Sequence, residues 1–287
     1  MDEILATRIL DMQSKSRVAS FREKCANDRS SLKAYEWSLT LGQALLKPIG
    51  ITEIAVRNAL DRELCAWWKA QGYNGTWLEA DSPESSVPLL APFVHAREWR
   101  KRAHSNKHGD REMTHDDVIA HTSLGTWRNM IGNPASLSFE APPGRRQRDS
   151  WLTAKKQDAL CAELWKLATR NSFPHIPETK RLRMGLSPRA YIGARLTRIS
   201  GLRNRVCHWD NLLTENIPTR YDDMKRVVSA IDEDLENWLC GQCDEEMFSL
   251  IEEGRSQGLV SEIPAQQALH QPQMHNQVSP SRKGDPA

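Results

Sequence analysis

Apolar residues in this chain recur at helical intervals, and nowhere do they alternate along a run bounded by hairpin turns. That pattern restricts the fold to helices packed on helices. Val56, Leu60, Leu64 and Trp67 make one stripe on a helix predicted from about Thr52 to Lys69. An earlier helix is expected over Leu32 to Lys47, stopping at Pro48, whose ring clashes with the preceding turn. Farther on, Ile192, Leu196, Ile199, Leu202 and Val206 mark a helix announced by Ser187 as its cap and Pro188 at its first position. Tyr221, Met224, Val228, Ile231, Leu235 and Trp238 read as one further stripe behind Pro218 and the cap-like Thr219-x-x-Asp222. Thr114-x-x-Asp117 opens another, with Ile119, Leu124, Trp127 and Ile131 inside it. The expected class is all-α.

The chain has 287 residues, 39% hydrophobic and 26% charged, which is enough to build a real core. A single domain is expected over 1–260, and the segment 261–287, rich in Gln, Pro, His and Ser, is expected to be a disordered tail. Gly72 to Met113 and Gly132 to Asp149 read as long surface loops. A net charge of +2 excludes a global field for nucleic acid, so any basic footprint is local. Three clusters qualify: Arg97 to His108, Arg145 to Arg148, and Lys180 to Arg183.

Asp2 and Glu3 stand where a signal peptide would carry base, and no apolar run approaches the roughly 20 residues of a membrane helix. The expected location is the cytoplasm, without membrane association. Six scattered cysteines fit reduced thiols there. Cys240-x-x-Cys243 lacks a second ligand pair, so neither a metal nor another cofactor is expected.

The chemistry concentrates in Gly201 to Trp209, Gly-Leu-Arg-Asn-Arg-Val-Cys-His-Trp. An arginine is a permanent cation whose planar fork fits phosphate, and a histidine takes and gives protons near neutrality. Arg203 and His208 thus supply what cleavage of RNA needs without a metal. On an ideal helix Asn204 lies about 40° from His208, but Arg203 lies about 140° away. Convergence then requires the arginine to wrap, the helix to distort, or a second subunit to complete the site. The ordinary structural reading of the same residues has Arg203 and Arg205 in surface ion pairs and His208 at a helix end. Trp209 is expected in the core, with base stacking as its functional alternative.

Arg203-Asn204-x-x-x-His208 resembles the signature of the HEPN superfamily (higher eukaryotes and prokaryotes nucleotide-binding), an arginine, a polar residue, then a histidine four to six positions on. The wider chain is similar to the Abi-like proteins of the AbiD and AbiF type. Tyr35-Glu36-Trp37, Glu53-x-x-x-Arg57-Asn58, Asp116-Asp117-Val118, Leu124-Gly125-Thr126-Trp127, Leu164-Trp165 and Phe173-Pro174 carry that likeness, which spans about residues 30 to 240. The family often continues its motif as His-His-Glu, whereas this chain has His208-Trp209-Asp210.

The resemblance implies a HEPN-type helical bundle with additional helices and long surface loops. It implies a metal-independent endoribonuclease of prokaryotic abortive infection or toxin-type defence, with RNA as substrate, a homodimer as the working form, and an antitoxin or a phage-derived trigger as a further partner. His208 would act as general base, Arg203 and Asn204 would hold the phosphate, and Glu53, Arg57, Asn58 and Arg205 would contact substrate, with Glu53 orienting Arg57. Two other readings compete: an RNA-binding or regulatory HEPN protein without chemistry, and a metal phosphohydrolase suggested by His115-Asp116, with His95 as a weak further ligand.

Overall fold

The computed structural model describes residues 2–82, 87–106, 112–134, 145–177 and 186–260. Among these the fold is all-α, with no strand. The α-helices are α1 (Glu3–Asp11), α2 (Lys15–Lys24), α3 (Asp28–Ala70), α4 (Ala96–Asn106), α5 (His115–Ile119), α6 (Leu124–Ile131), α7 (Arg145–Leu167), α8 (Pro188–Cys207), α9 (Ile217–Ile231) and α10 (Glu233–Ser256). The expected tail at 261–287 and the cluster Lys180 to Arg183 lie outside the described residues, as do Lys107 and His108.

The axis of the molecule is α3, 43 residues long, against which α1, α2, α6, α8, α9 and α10 all pack. Pro48 does not end it, contrary to the sequence expectation. A proline inside a helix costs about 3 kcal/mol through its missing N–H and ring clash. The apolar stripe explains why that cost is borne: Leu41, Leu45, Ile49, Val56, Leu60 and Leu64 are all essentially buried on one face spanning the proline. Each such side chain returns about 1.5–3 kcal/mol on burial, and a break at Pro48 would turn half of them from the core. The Thr52 hydroxyl donates to the Pro48 carbonyl at 2.8 Å, closing that turn from the side chain.

Length also changes the reading of α3 as a segment. It contains a window of 18 residues apolar enough, by composition, to cross a membrane, where the sequence reading saw none. Half of that window is buried inside the fold. Trp37 anchors α3 to α10, donating its Nε1–H to the Leu250 carbonyl at 2.9 Å.

Other boundaries follow local capping. Ser187 caps α8 as expected, its side chain accepting the Ala190 N–H, and Thr114 with Asp117 forms a capping box on α5. That helix is short, however, and the chain turns before a separate α6 begins. The stripe from Tyr221 to Trp238 is likewise two helices. Asp232 is extended (φ −162°, ψ 127°) and its side chain caps α10 by accepting the Leu235 N–H, while Asn216, not Thr219, caps α9. Trp238 consequently points to solvent. The supposed loop from Gly72 to Met113 contains α4 and two short 3-10 turns, Trp77–Glu79 and Ala91–Phe93.

The position of α8 is set by two glycines. Gly132 ends α6 at φ 70°, a backbone favouring glycine, and the bare Cα of Gly193 sits against its carbonyl. A methyl group at Gly193 would overlap that carbonyl oxygen. This contact brings α8 hard against α6 and holds it beside α3.

Candidate functional site

Helix α8 carries five arginines and no acidic residue. Four of them are secured by hydrogen bonds. Arg189 donates to Asp158 at 2.8 Å and to the Ile131 carbonyl at 3.1 Å. Arg195 donates to the Tyr191 carbonyl at 2.9 Å and stacks over the Tyr191 ring. Arg198 grips buried Asp223 with two bonds of 2.6 Å. Arg205 pairs with Glu215 at 3.0 Å and donates to the Asn211 carbonyl at 3.2 Å, fastening the turn after α8.

Arg203 differs. Among the described residues it makes no hydrogen bond, and its one charge partner is Glu53 on α3, at 3.8 Å. Its donors are therefore held in place by a carboxylate without being consumed. Glu53 has a second duty, because its other oxygen accepts the backbone N–H of Leu124 at 2.9 Å. That bond serves the start of α6, where Ser123 occupies the cap position without a side-chain hydrogen bond of its own. Glu53 thus ties α3, α6 and α8 together at one point.

The expected pairing of Glu53 with Arg57 is not seen. Arg57 instead donates Nε–H to its neighbour Asn58 at 3.2 Å, and Asn58 is exposed. Direction along the helices explains the difference. While Arg203 is level with Glu53, the residues Val206 and Trp209 line a cleft with Leu39 and Gly42, so α8 descends toward the N-terminal half of α3. Arg57 lies one turn the other way. Summed along the two helix axes, Arg57 and His208 stand about 13 Å apart.

His208 is the C-cap of α8. Its side chain is exposed and has no partner among the described residues, and Asn204 is exposed on the same helix. No hydrogen bond joins Arg203 to His208, which matches their divergence of about 140° on the helix. After His208 the chain makes a complete Schellman turn: Trp209 N–H donates to the Val206 carbonyl at 3.1 Å and Asp210 N–H to the Arg205 carbonyl at 2.8 Å. That turn needs a left-handed residue at Trp209, whose φ is 54°. Glycine is the usual occupant, and a side chain there costs about 1–2 kcal/mol. The expectation of a core tryptophan fails as well, since Trp209 is 41% exposed. Its ring borders the cleft with Arg17, Tyr35, Ser38 and Leu39.

The remaining chemistry lies elsewhere. Among the described residues one group could hold a metal, Asp61, Cys65 and His115. His95 is not part of it and instead meets the Trp99 ring edge-on. All six cysteines are free thiols, and burial pushes Cys240 of the Cys-x-x-Cys pair up to about 11. The described part of the first basic cluster lies on α4, where Arg97, Lys101 and Arg102 are exposed and Arg100 pairs with Glu79. Arg146 and Arg148 are exposed at the start of α7. Compared with protein-family models, with curated proteins and with solved structures, the chain matches none.

Proposed function

We propose that this chain is a metal-independent endoribonuclease of the Abi-like branch of the HEPN superfamily, working in the cytoplasm in prokaryotic abortive infection or toxin-type defence. The observation that carries the reading is the state of Arg203, the one arginine of α8 that is positioned by a carboxylate yet makes no hydrogen bond among the described residues. A phosphate can take its donors without dismantling the fold. Five residues on, His208 offers an exposed imidazole with no competing partner among the described residues.

In the proposed reaction His208 accepts the proton of a ribose 2′-hydroxyl, and the oxygen attacks the adjacent phosphorus. The bond from phosphorus to the 5′-oxygen breaks, and that oxygen leaves with a proton returned by the imidazolium. Arg203 and Asn204 stabilise charge on the non-bridging oxygens. The products are a 2′,3′-cyclic phosphate and a 5′-hydroxyl. Arg57 and Asn58 are too far along α3 to share the scissile phosphate with His208 and serve a flanking one. Arg205 acts by holding the turn that presents His208 and Trp209.

Because Arg203 and His208 diverge on one helix, the proposal includes a homodimer in which a second copy completes the site. An antitoxin would restrain it when idle, or a phage-derived trigger would switch it on. A second reading, RNA binding without cleavage, is favoured by Trp209, since an exposed aromatic ring held on a strained backbone beside the motif offers a base a stacking surface. Product ends separate the two. Single-stranded RNA incubated with the protein in EDTA should yield cyclic phosphate and 5′-hydroxyl termini, and RNA that is bound but intact under all conditions would favour the binder.

A further inference from the structure

The polar ridge of α3 continues beyond Arg57. Glu53, Arg57, Asp61 and Cys65 follow at intervals of four, so each stands about one turn above the last. Against the upper two the chain brings His115, the first residue of α5. His115 Nε2 lies 2.7 Å from Asp61 Oδ1 and 3.9 Å from Cys65 Sγ, and Cys65 Sγ lies 3.8 Å from Asp61 Oδ1. One nitrogen, one sulfur and one oxygen face a common point.

Those separations are close to the edges of a coordination tetrahedron. Bonds of about 2.0 Å to oxygen and nitrogen and about 2.3 Å to sulfur place ligand atoms about 3.3 Å apart for oxygen and nitrogen, and about 3.5 Å apart where sulfur takes part. The two sulfur distances need to shrink by only about 0.3–0.4 Å, and the oxygen to nitrogen distance needs to widen by about 0.6 Å. A small rotation of the Asp61 carboxylate supplies that.

The surroundings fix the three groups. The buried Trp77 donates Nε1–H to the same Asp61 Oδ1 at 2.7 Å, the kind of outer hydrogen bond that orients a ligating carboxylate. The capping box of Thr114 and Asp117 sets the first turn of α5, and with it the backbone of His115. Nε2 is the ring nitrogen that reaches the other two ligand atoms, and Nδ1 is buried with no hydrogen-bond partner among the described residues.

A mixed oxygen, nitrogen and sulfur set suits a borderline-soft ion, whereas magnesium and calcium take oxygen alone. Carboxylate, thiolate and neutral imidazole carry a combined charge of −2, which a divalent cation neutralises in a partly buried place. The side chains of His115 and Asp61 remain 22% and 14% exposed, so solvent can supply a fourth ligand. We propose that Asp61, Cys65 and His115 bind a zinc-type divalent cation that clamps α5 and the Trp77 turn onto α3. On binding, the protons of the Cys65 thiol and of His115 Nε2 go to solvent. The site is separate from Arg203 and His208 and takes no part in the proposed cleavage.

The test uses the full chain, reduced and stripped of metal, titrated with cobalt(II), which reports tetrahedral thiolate sites by visible absorption and by a thiolate-to-metal charge-transfer band. One equivalent should produce both signals, and zinc should abolish them. Cys65→Ser should lose the charge-transfer band, and His115→Gln should weaken binding at least about tenfold. Circular dichroism of each metal-free variant shows whether it is folded. A Cys240→Ser, Cys243→Ser variant, altered only on α10, should keep both signals. Absence of the band in the wild type, or its survival in Cys65→Ser, overturns the proposal. No RNA is present, so the result is independent of the cleavage assay.

Discussion

Glu53 holds Arg203 across 3.8 Å while its other oxygen accepts the first N–H of α6. The charge of one carboxylate therefore positions the arginine, and its hydrogen-bonding capacity holds a helix end. The two duties separate by substitution. Glu53→Gln keeps an acceptor for Leu124 and removes the charge, so stability should fall by less than about 1 kcal/mol. Glu53→Ala removes both and should cost about 1 kcal/mol more. Equilibrium urea unfolding of the two variants checks the order, and equal losses would show that the carboxylate does not serve α6.

Arg203→Ala should weaken RNA binding and reduce the slope of log K against log salt by about 1, as expected for loss of one phosphate contact. Fluorescence anisotropy across a salt series reads this directly. An unchanged slope would place Arg203 outside the RNA contact.

Trp209 gives a test with opposed expectations. Its ring is a stacking surface worth about 1–3 kcal/mol per base, whereas its backbone is strained by about 1–2 kcal/mol. Trp209→Gly relieves the strain as it removes the partly exposed ring. RNA affinity should drop while stability changes by no more than about 1 kcal/mol. A large loss of stability with affinity intact would make Trp209 a packing residue.

Gly193→Ala should destabilise the fold by about 1–3 kcal/mol, because the methyl meets the Gly132 backbone rather than a side chain that can swing aside. Thermal melts check it. A neutral effect would mean that α8 can slide on α6, and the alignment of Arg203 with Glu53 would not be fixed.

His115 titrates under the control of Asp61. The hydrogen bond to that carboxylate, with help from Cys65, holds the imidazole up to about 10 from an ordinary 6.5. A pKa raised on folding stabilises the protein fully below the unfolded value, and the contribution fades as pH rises from there through the folded value. In metal-free protein, the stability advantage of the wild type over His115→Gln should shrink between pH 6.5 and about 10 and level off above. An advantage constant over that range would show that the ion pair does not form.

What the sequence made legible was local. Ser187 with Pro188 and Thr114 with Asp117 announced their helices because a cap and the N–H it accepts lie within a few residues. Asp232 with Glu233, Asp234 and Glu236 behind it was an equally local sign of a new helix. It was masked because Leu235 and Trp238 extended the apolar spacing of α9. Pro48 misled in the other direction, since its effect depends on how much apolar surface the straight helix buries on both sides.

The site was legible in its residue types and not in its pairings. Glu53 meets an arginine 150 positions away, and His115 meets Asp61 across 54, distances over which no periodicity speaks. The spacing of four that links Glu53, Arg57, Asp61 and Cys65 was visible, but only the fold shows that alternate members face different helices. The left-handed backbone at Trp209 carried no signal, because the left-handed end of a helix is ordinarily announced by glycine or asparagine.

The most direct measurement compares wild type with His208→Ala on the same single-stranded RNA in EDTA, recording turnover and binding together. The wild type should cleave, the variant should lose about 100-fold or more in turnover, and binding should be nearly unchanged. Equal cleavage by both proteins, or cleavage that ceases in EDTA while circular dichroism shows the fold unchanged, would refute metal-free cleavage through His208.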